Sequence, residues 1–371
     1  MNIPFNSLKE QVAAERAAIE AAVERVLDSG WFLMGPELTA FEAAFAAFVG
    51  VAQAVAVANG TEAISLALRA LSLAPGDEVV VPALTAPPCY HAILAAGCVP
   101  VFAEIDPRTY TLDPAAVDKV CGPRTRAVLA VHLYGRMCDL DGLAQVCREK
   151  NLLLVEDCAQ AHGATDARGR TAGSVGAAAA FSFYPTKNLG ALGDGGAVVT
   201  NDPGVAARLR RLRQYGEGPR YVCREPGANS RMDEIQAAVL GMRLTRLPEL
   251  NARRRLLAAR YAAGLAGLPL VLPPVPEEAP GHVHHLFVVR TPRRDDLAAF
   301  LKERGIGSAV HYPVPGHAQP MFTGGLAPYR AGELTATEGI CAELLSLPLY
   351  PSLTEAQVDE VTAAVRAFFA S

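Results

Sequence analysis

Charge of either sign is scarce in this 371-residue sequence: Asp, Glu, Lys and Arg together make up 19%, and the net charge is −4. That balance excludes a nucleic-acid binder held by phosphate neutralisation. No apolar run reaches the roughly 20 residues of a membrane span. The opening Met1-Asn2-Ile3-Pro4 turns polar at once, unlike a signal peptide. The eight Cys, at 89, 98, 121, 138, 147, 158, 223 and 341, form no C-x-x-C pair and no zinc-type spacing with His. No metal is therefore expected, and reduced thiols in cytoplasm are. The run Gly190-Ala191-Leu192-Gly193-Asp194-Gly195-Gly196 is neither G-x-G-x-x-G nor a loop ending in GK[ST]. It argues against a nicotinamide dehydrogenase and against a triphosphate-binding loop. What the sequence does have is 51% hydrophobic residues, enough for one large domain and a smaller one.

Ser7 and Glu10 form a capping box ahead of apolar residues at helical spacing, which run to Gly30. A second helix places Phe41, Phe45 and Phe48 on one face and stops at Gly50. Short, wholly apolar runs then alternate with helical stretches. The runs are 54–57, 78–81, 99–103, 127–131 and 152–155; helices follow from Thr61, near 90–96 and from Asp139 to about Glu149. Further strand is expected at 177–183 and 196–200. Such alternation predicts a mainly parallel central sheet flanked by helices. A long helix over 251–265 and a Pro-rich stretch at 273–280 suggest a boundary near 250. Residues 1–250 would be a large domain and 251–371 a small α/β domain, with a strand at 285–290 and helices at 294–304, 336–345 and 354–369.

Three segments carry chemistry. Lys187, in Phe181-Ser182-Phe183-Tyr184-Pro185-Thr186-Lys187, follows an apolar strand and a Pro and precedes the Gly-rich run. A side chain there is presented at the carboxyl end of a sheet, where a Lys can form a Schiff base with an aldehyde cofactor. Ser182 could donate to a phosphate. Asp157 ends the apolar run 152–155 plus Glu156 and fits either a helix N-cap or the partner of a protonated pyridine nitrogen. Gln160, three residues on, could reach that ring's hydroxyl, whereas His162 reads as structural. Asn59-Gly60-Thr61 leads from a strand into a helix, whose free amides and Thr hydroxyl make an anion site.

In this order the motifs resemble the DegT/DnrJ-type sugar aminotransferases, of the pyridoxal-phosphate-dependent transferase fold type I. The likeness continues through His132-Leu133-Tyr134-Gly135, Gly227-Ala228-Asn229-Ser230-Arg231-Met232-Asp233-Glu234-Ile235-Gln236 and His311-Tyr312-Pro313-Val314-Pro315. It implies that Lys187 binds pyridoxal 5′-phosphate covalently and shuttles the proton. It implies that Asp157 meets the pyridine nitrogen, Gln160 the ring hydroxyl, and Gly60, Thr61 and Ser182 the phosphate. It also implies a homodimer in which Asn229 reaches the phosphate of the partner's cofactor. Tyr184, His311 and Tyr312 match positions near the sugar. Arg231 suits either the carboxylate of an amino-acid donor, by family likeness L-glutamate, or a structural salt bridge.

The segment from Tyr184 to Gly196, with Asp-Gly-Gly rather than Glu-Gly-Gly, is similar to enzymes acting on 3-keto nucleotide-linked deoxyhexoses rather than 4-keto ones. Relatives that replace the Lys by His are dehydratases; this chain keeps Lys187. The chain departs from the family at Thr85-Ala86-Pro87-Pro88-Cys89-Tyr90: Ala86 falls where an aromatic residue usually stacks on the pyridine ring, and Pro87-Pro88 or Tyr90 would have to take its place. Alternatives are an aminotransferase or dehydratase for another keto-sugar or a keto-cyclitol, and a non-catalytic regulator that binds cofactor or sugar.

Overall fold

The computed structural model describes residues 2–274, 279 and 281–370; most of the Pro-rich stretch 273–280 lies outside them. Ten strands are present among the described residues: β1 Gln53–Val57, β2 Glu78–Pro82, β3 Val99–Ala103, β4 Thr125–Val131, β5 Leu153–Asp157, β6 Ala178–Ser182, β7 Gly196–Thr200, β8 Phe287–Arg290, β9 Arg330–Ala331 and β10 Leu344–Leu347. Eight of them form one sheet in the order β1-β7-β6-β5-β4-β2-β3-β9, and β10 pairs with β8 in a second. The large sheet is parallel except for β7, which runs antiparallel to both neighbours. Strand β2, EVVVP, is buried at every position, as a strand covered on both faces must be.

The first four helices are α1 Leu8–Ser29, α2 Pro36–Val49, α3 Gly60–Ala70 and α4 Pro87–Ala95. Ser7 caps α1 by accepting from the Glu10 N–H at 3.4 Å. The apolar face of α2 drives Phe45 edge-on into Phe181 of β6, with ring centres 4.9 Å apart, and Phe41 into Phe183 at 5.4 Å. Helix α4 begins earlier than the expected 90–96 because Pro87 and Pro88 occupy its first turn, where a missing N–H costs nothing. The helix expected over 336–345 is shorter, Thr335–Glu343, and gives way to β10. The short run Leu344–Leu347 fits either state by periodicity, and pairing with β8 decides for strand.

A helix from Leu247 to Leu265 links two cores: Leu247 packs with α2 and β6, while Leu257, Tyr261 and Leu265 pack with β8, β10 and the helix Glu355–Ala370. The chain crosses back twice. Ile3 bridges to Ile306 and sits fully buried in the second core, and Arg330–Ala331 adds the edge strand to the large sheet. No helix among the described residues is long and apolar enough to cross a membrane.

Candidate active site

Strands β1, β2, β4, β5 and β6 all end at one edge of the sheet, and the loops that follow them close a cleft of about 300 Å³. Lys187, Asp157, Gln160, Ser182, Gly60, Thr61, Ala86, Tyr184 and Tyr312 line it. The structure thus brings nine of the twelve candidate residues to one place. Asn229 is exposed and lies outside this cleft of its own chain. Arg231 is half-buried, also outside, and makes no ion pair or hydrogen bond among the described residues. His311 sits behind Tyr312, stacked on Phe5 and with its Nδ1 2.9 Å from Ser346 Oγ.

Asp157 closes β5 with its carboxylate buried. Its Oδ1 accepts from the Ala159 N–H at 3.0 Å and its Oδ2 from the Cys89 thiol at 3.1 Å. The Asn59 side chain caps α3 through the Glu62 N–H at 2.9 Å and its carbonyl takes the Ala63 N–H. The N–H groups of Gly60 and Thr61 are left without an acceptor among the described residues. Ser182 stands beside them, so close that a Cβ on Gly60 would come within 2.5 Å of the Ser182 Cβ. Only glycine lets the helix end approach the strand end so nearly. Amides at a helix N-terminus beside a hydroxyl suit a phosphate, and a bound anion there is worth about 0.3–1 kcal/mol, up to ~2 when partly buried.

Lys187 is half-buried. Burial holds its ammonium below the ordinary lysine value, while the Asp157 charge pulls the other way. A lysine so placed is more readily the neutral nucleophile. Gln160 has a fixed amide: Oε1 accepts from the Tyr134 N–H at 2.6 Å and Nε2 donates to the Tyr312 hydroxyl at 3.1 Å. Ala86 is the residue before α4 and lines the cleft with Pro87 and Pro88. Tyr90 does not join them. It turns into the core against Phe322 and Phe102, with ring centres 5.5 and 6.0 Å away.

Sequence reasoning missed three supports. Cys89, at the wall of the cleft, holds Asp157. Asn188, next to Lys187, donates to Asn251 Oδ1 at 2.9 Å and lies 2.9 Å from His285 Nδ1, which anchors the lysine's turn to the helix from Leu247. His132 lies 2.8 Å from Glu156, whose oxygens also accept the N–H groups of Gly173, Val175 and Gly176 at 2.7–2.9 Å. His132, Glu156 and Cys158 come together, but Glu156 is saturated by these bonds and acts as a structural anchor. His162 is fully buried between Phe181 and Phe183, in keeping with a structural role.

A buried carboxylate, an amide in the cleft wall, a cradle that a glycine Cβ would fill and a lysine in the same cleft match the ring nitrogen, hydroxyl, phosphate and aldehyde of pyridoxal phosphate. Comparison with known proteins agrees. The model of the DegT/DnrJ/EryC1/StrS aminotransferase family matches residues 13–366. The chain is 50% identical, over 98% of its length and 95% of the relative's, to a dTDP-3-amino-3,4,6-trideoxy-alpha-D-glucose transaminase of Streptomyces venezuelae. The crystal structure of S. venezuelae DesV in complex with a ketimine intermediate superposes with a TM-score of 0.94 at 49% identity, covering 100% of this chain and 99% of that one. NtdA of Bacillus subtilis, with bound cofactor PMP, superposes at 0.91 and 31% identity, covering 100% of this chain and 86% of NtdA. Across nearly its whole length, then, this chain belongs to the DegT/DnrJ/EryC1/StrS aminotransferase family, as a pyridoxal-phosphate-dependent enzyme.

Proposed function

We propose that this protein moves an amino group from an amino acid, L-glutamate, to the 3-keto position of a nucleotide-linked deoxyhexose in amino-sugar biosynthesis. The observation that carries the reading is the meeting of Lys187, Asp157, Gln160 and the open end of α3 in one cleft, in a chain half identical to a 3-amino-sugar transaminase.

Gly60, Thr61 and Ser182 would hold the cofactor's phosphate, Asp157 its ring nitrogen, Gln160 its ring hydroxyl and Lys187 its aldehyde carbon. Ala86, with Pro87 and Pro88, would lie against the ring. Once bound, the cofactor supplies an electron sink for the bond broken at the donor's α-carbon. Lys187 Nζ takes the proton from that α-carbon and returns one to the carbon that receives the amine on the sugar. Asp157 would stand against the ring nitrogen throughout. Tyr184 and Tyr312, which line the mouth, would contact the sugar, with His311 behind them. Arg231, which has no ion-pair partner among the described residues, would meet the donor's carboxylate.

The same proposal includes a homodimer with shared sites. Trp31 and Phe32 are 57% and 51% exposed and Tyr221 is 79% exposed, aromatic side chains of the kind partner subunits cover. Asn229, outside its own cleft, is available to a partner's phosphate. It further includes residues 1–250 as the cofactor-binding domain and 251–371 as the smaller one, and a cytoplasmic enzyme, supported by eight free thiols. Mass spectrometry of products from a panel of nucleotide-linked 3-keto and 4-keto sugars with L-glutamate tests the reading. Amine transfer confined to 3-keto sugars is the expected result; transfer to 4-keto sugars alone, or to none, overturns it.

A further inference from the structure

The Asp157 carboxylate has two hydrogen-bond donors within the chain. One is the backbone N–H of Ala159, to Oδ1 at 3.0 Å. The other is the thiol of Cys89, to Oδ2 at 3.1 Å. Cys89 is itself met by Thr85, whose Oγ1 lies 2.9 Å from the sulfur. Since the single S–H proton goes to Asp157, the Thr85 hydroxyl is the donor in that pair. All three residues are buried, and Cys89 lies in the wall of the cleft. Burial and the adjacent Asp157 charge push the Cys89 thiol well up from its ordinary value. It therefore remains a protonated donor, not a nucleophile, across the working range of an enzyme.

We infer that Cys89, supported by Thr85, is a positioning residue: its S–H fixes the rotation of the Asp157 carboxylate so that the remaining acceptor capacity faces a pyridine nitrogen. A carboxylate accepts about four hydrogen bonds, and each oxygen here has one donor of the chain. Pinning both oxygens stops the group from turning about its last bond. A thiol is a weak donor, so it orients the carboxylate while withdrawing little of the charge that must hold the ring's proton. This inference rests on the reading of Asp157 as the partner of the ring nitrogen.

The test separates the two. The binding of pyridoxamine 5′-phosphate, which forms no bond to Lys187, is compared with that of an analogue carrying carbon in place of the ring nitrogen. Both are measured by equilibrium dialysis against the wild type, Cys89→Ala, Cys89→Ser and Asp157→Asn. Cys89→Ala should bind the nitrogen form about five- to tenfold more weakly, the scale of one lost hydrogen bond from a weak donor, and the carbon form unchanged. Cys89→Ser, whose hydroxyl also donates, should restore the wild-type preference to within about threefold. Asp157→Asn should abolish the preference for nitrogen altogether. Equal losses on both ligands in Cys89→Ala, or no loss on either, with the preference still abolished in Asp157→Asn, overturn the role of Cys89 alone. A preference that survives in Asp157→Asn overturns the assignment of Asp157 and the inference with it.

Discussion

Two carboxylates sit side by side at the end of β5 and, as successive strand residues, face opposite sides of the sheet. Glu156 is wholly buried and receives His132 and three backbone N–H groups. Those bonds outweigh burial, which alone would raise its pKa, and hold it below the ordinary carboxylate value. Asp157 is also buried but receives only Ala159 and Cys89. One carboxylate has all its acceptor capacity spent on His132 and the loop 173–176; the other keeps some facing a cleft. Under the proposed function the difference separates an anchor from a working group, although chemistry and depth are alike.

Substitutions should split along that line. Lys187→Ala, on the cleft side, should abolish transamination, measured by single-turnover product formation, while the protein still retains cofactor through the α3 end; turnover at the wild-type rate would remove Lys187 from the mechanism. On the other side, Glu156→Ala strands His132 and three amides. It should lower unfolding stability by about 3–5 kcal/mol, the cost of breaking a buried pair. Denaturant titration measures it, and a loss of activity at unchanged stability would erase the contrast.

Asp157→Asn should do the reverse: near-normal stability with turnover reduced on the order of 10²-fold, since an amide cannot hold the ring nitrogen's proton by charge. Near-normal kinetics would leave Asp157 as a capping residue only. Acid should strain the core between Phe181 and Phe183 through His162, held down to about 3 by burial and by the Lys187 charge. The unfolded chain takes up this proton below about 6.5 and the folded one does not, so stability falls as pH drops from there towards 3, by up to ~1.4 kcal/mol per unit. His282, His284, His285 and His311 are held down by burial as well, so His162→Leu should make the slope in melting curves between pH 6.5 and 4 shallower by up to ~1.4 kcal/mol per unit.

The smallest effect belongs to the wall. Ala86→Phe should slow cofactor loss on dialysis by a few-fold to about tenfold, the value of one aromatic contact. Tyr90→Phe should leave it unchanged, because Tyr90 packs on Phe102 and Phe322. Faster loss in Ala86→Phe would show that the prolines already fill the ring's face.

The strands around the site were legible because each is a short apolar run ending in a polar or glycine residue: Val57 before Asn59-Gly60, Val155 before Glu156-Asp157, Phe181 before Lys187. The antiparallel direction of β7 was not, since direction depends on which neighbours a strand finds and leaves no mark in its own residues. Helices Pro114–Val120, Pro203–Leu212 and Glu234–Leu244 were passed over. The last lies inside a segment whose motif residues drew the attention, and its buried Glu234 caps α2 through the N–H groups of Gly35, Glu37 and Leu38, a partner some 200 positions away. Cys89 escaped for a similar reason. It sits in the segment Thr85 to Tyr90, where Ala86 drew the attention, and its meaning depends on a contact with Asp157 across 68 residues.

The bridge from Ile3 to Ile306 sets an order of events during synthesis. The amino-terminal segment leaves the ribosome first, yet the residues that bury Ile3 follow about 300 positions later. At roughly 5–20 residues per second that is a wait of about 15–60 s. Through that interval α1 can settle only against what has already emerged, and its packing surface on the helix Glu234–Leu244 comes late as well. The nascent chain must therefore carry the apolar stripe of α1, Ile19, Ala22 and Val26, uncovered for more than half of its translation.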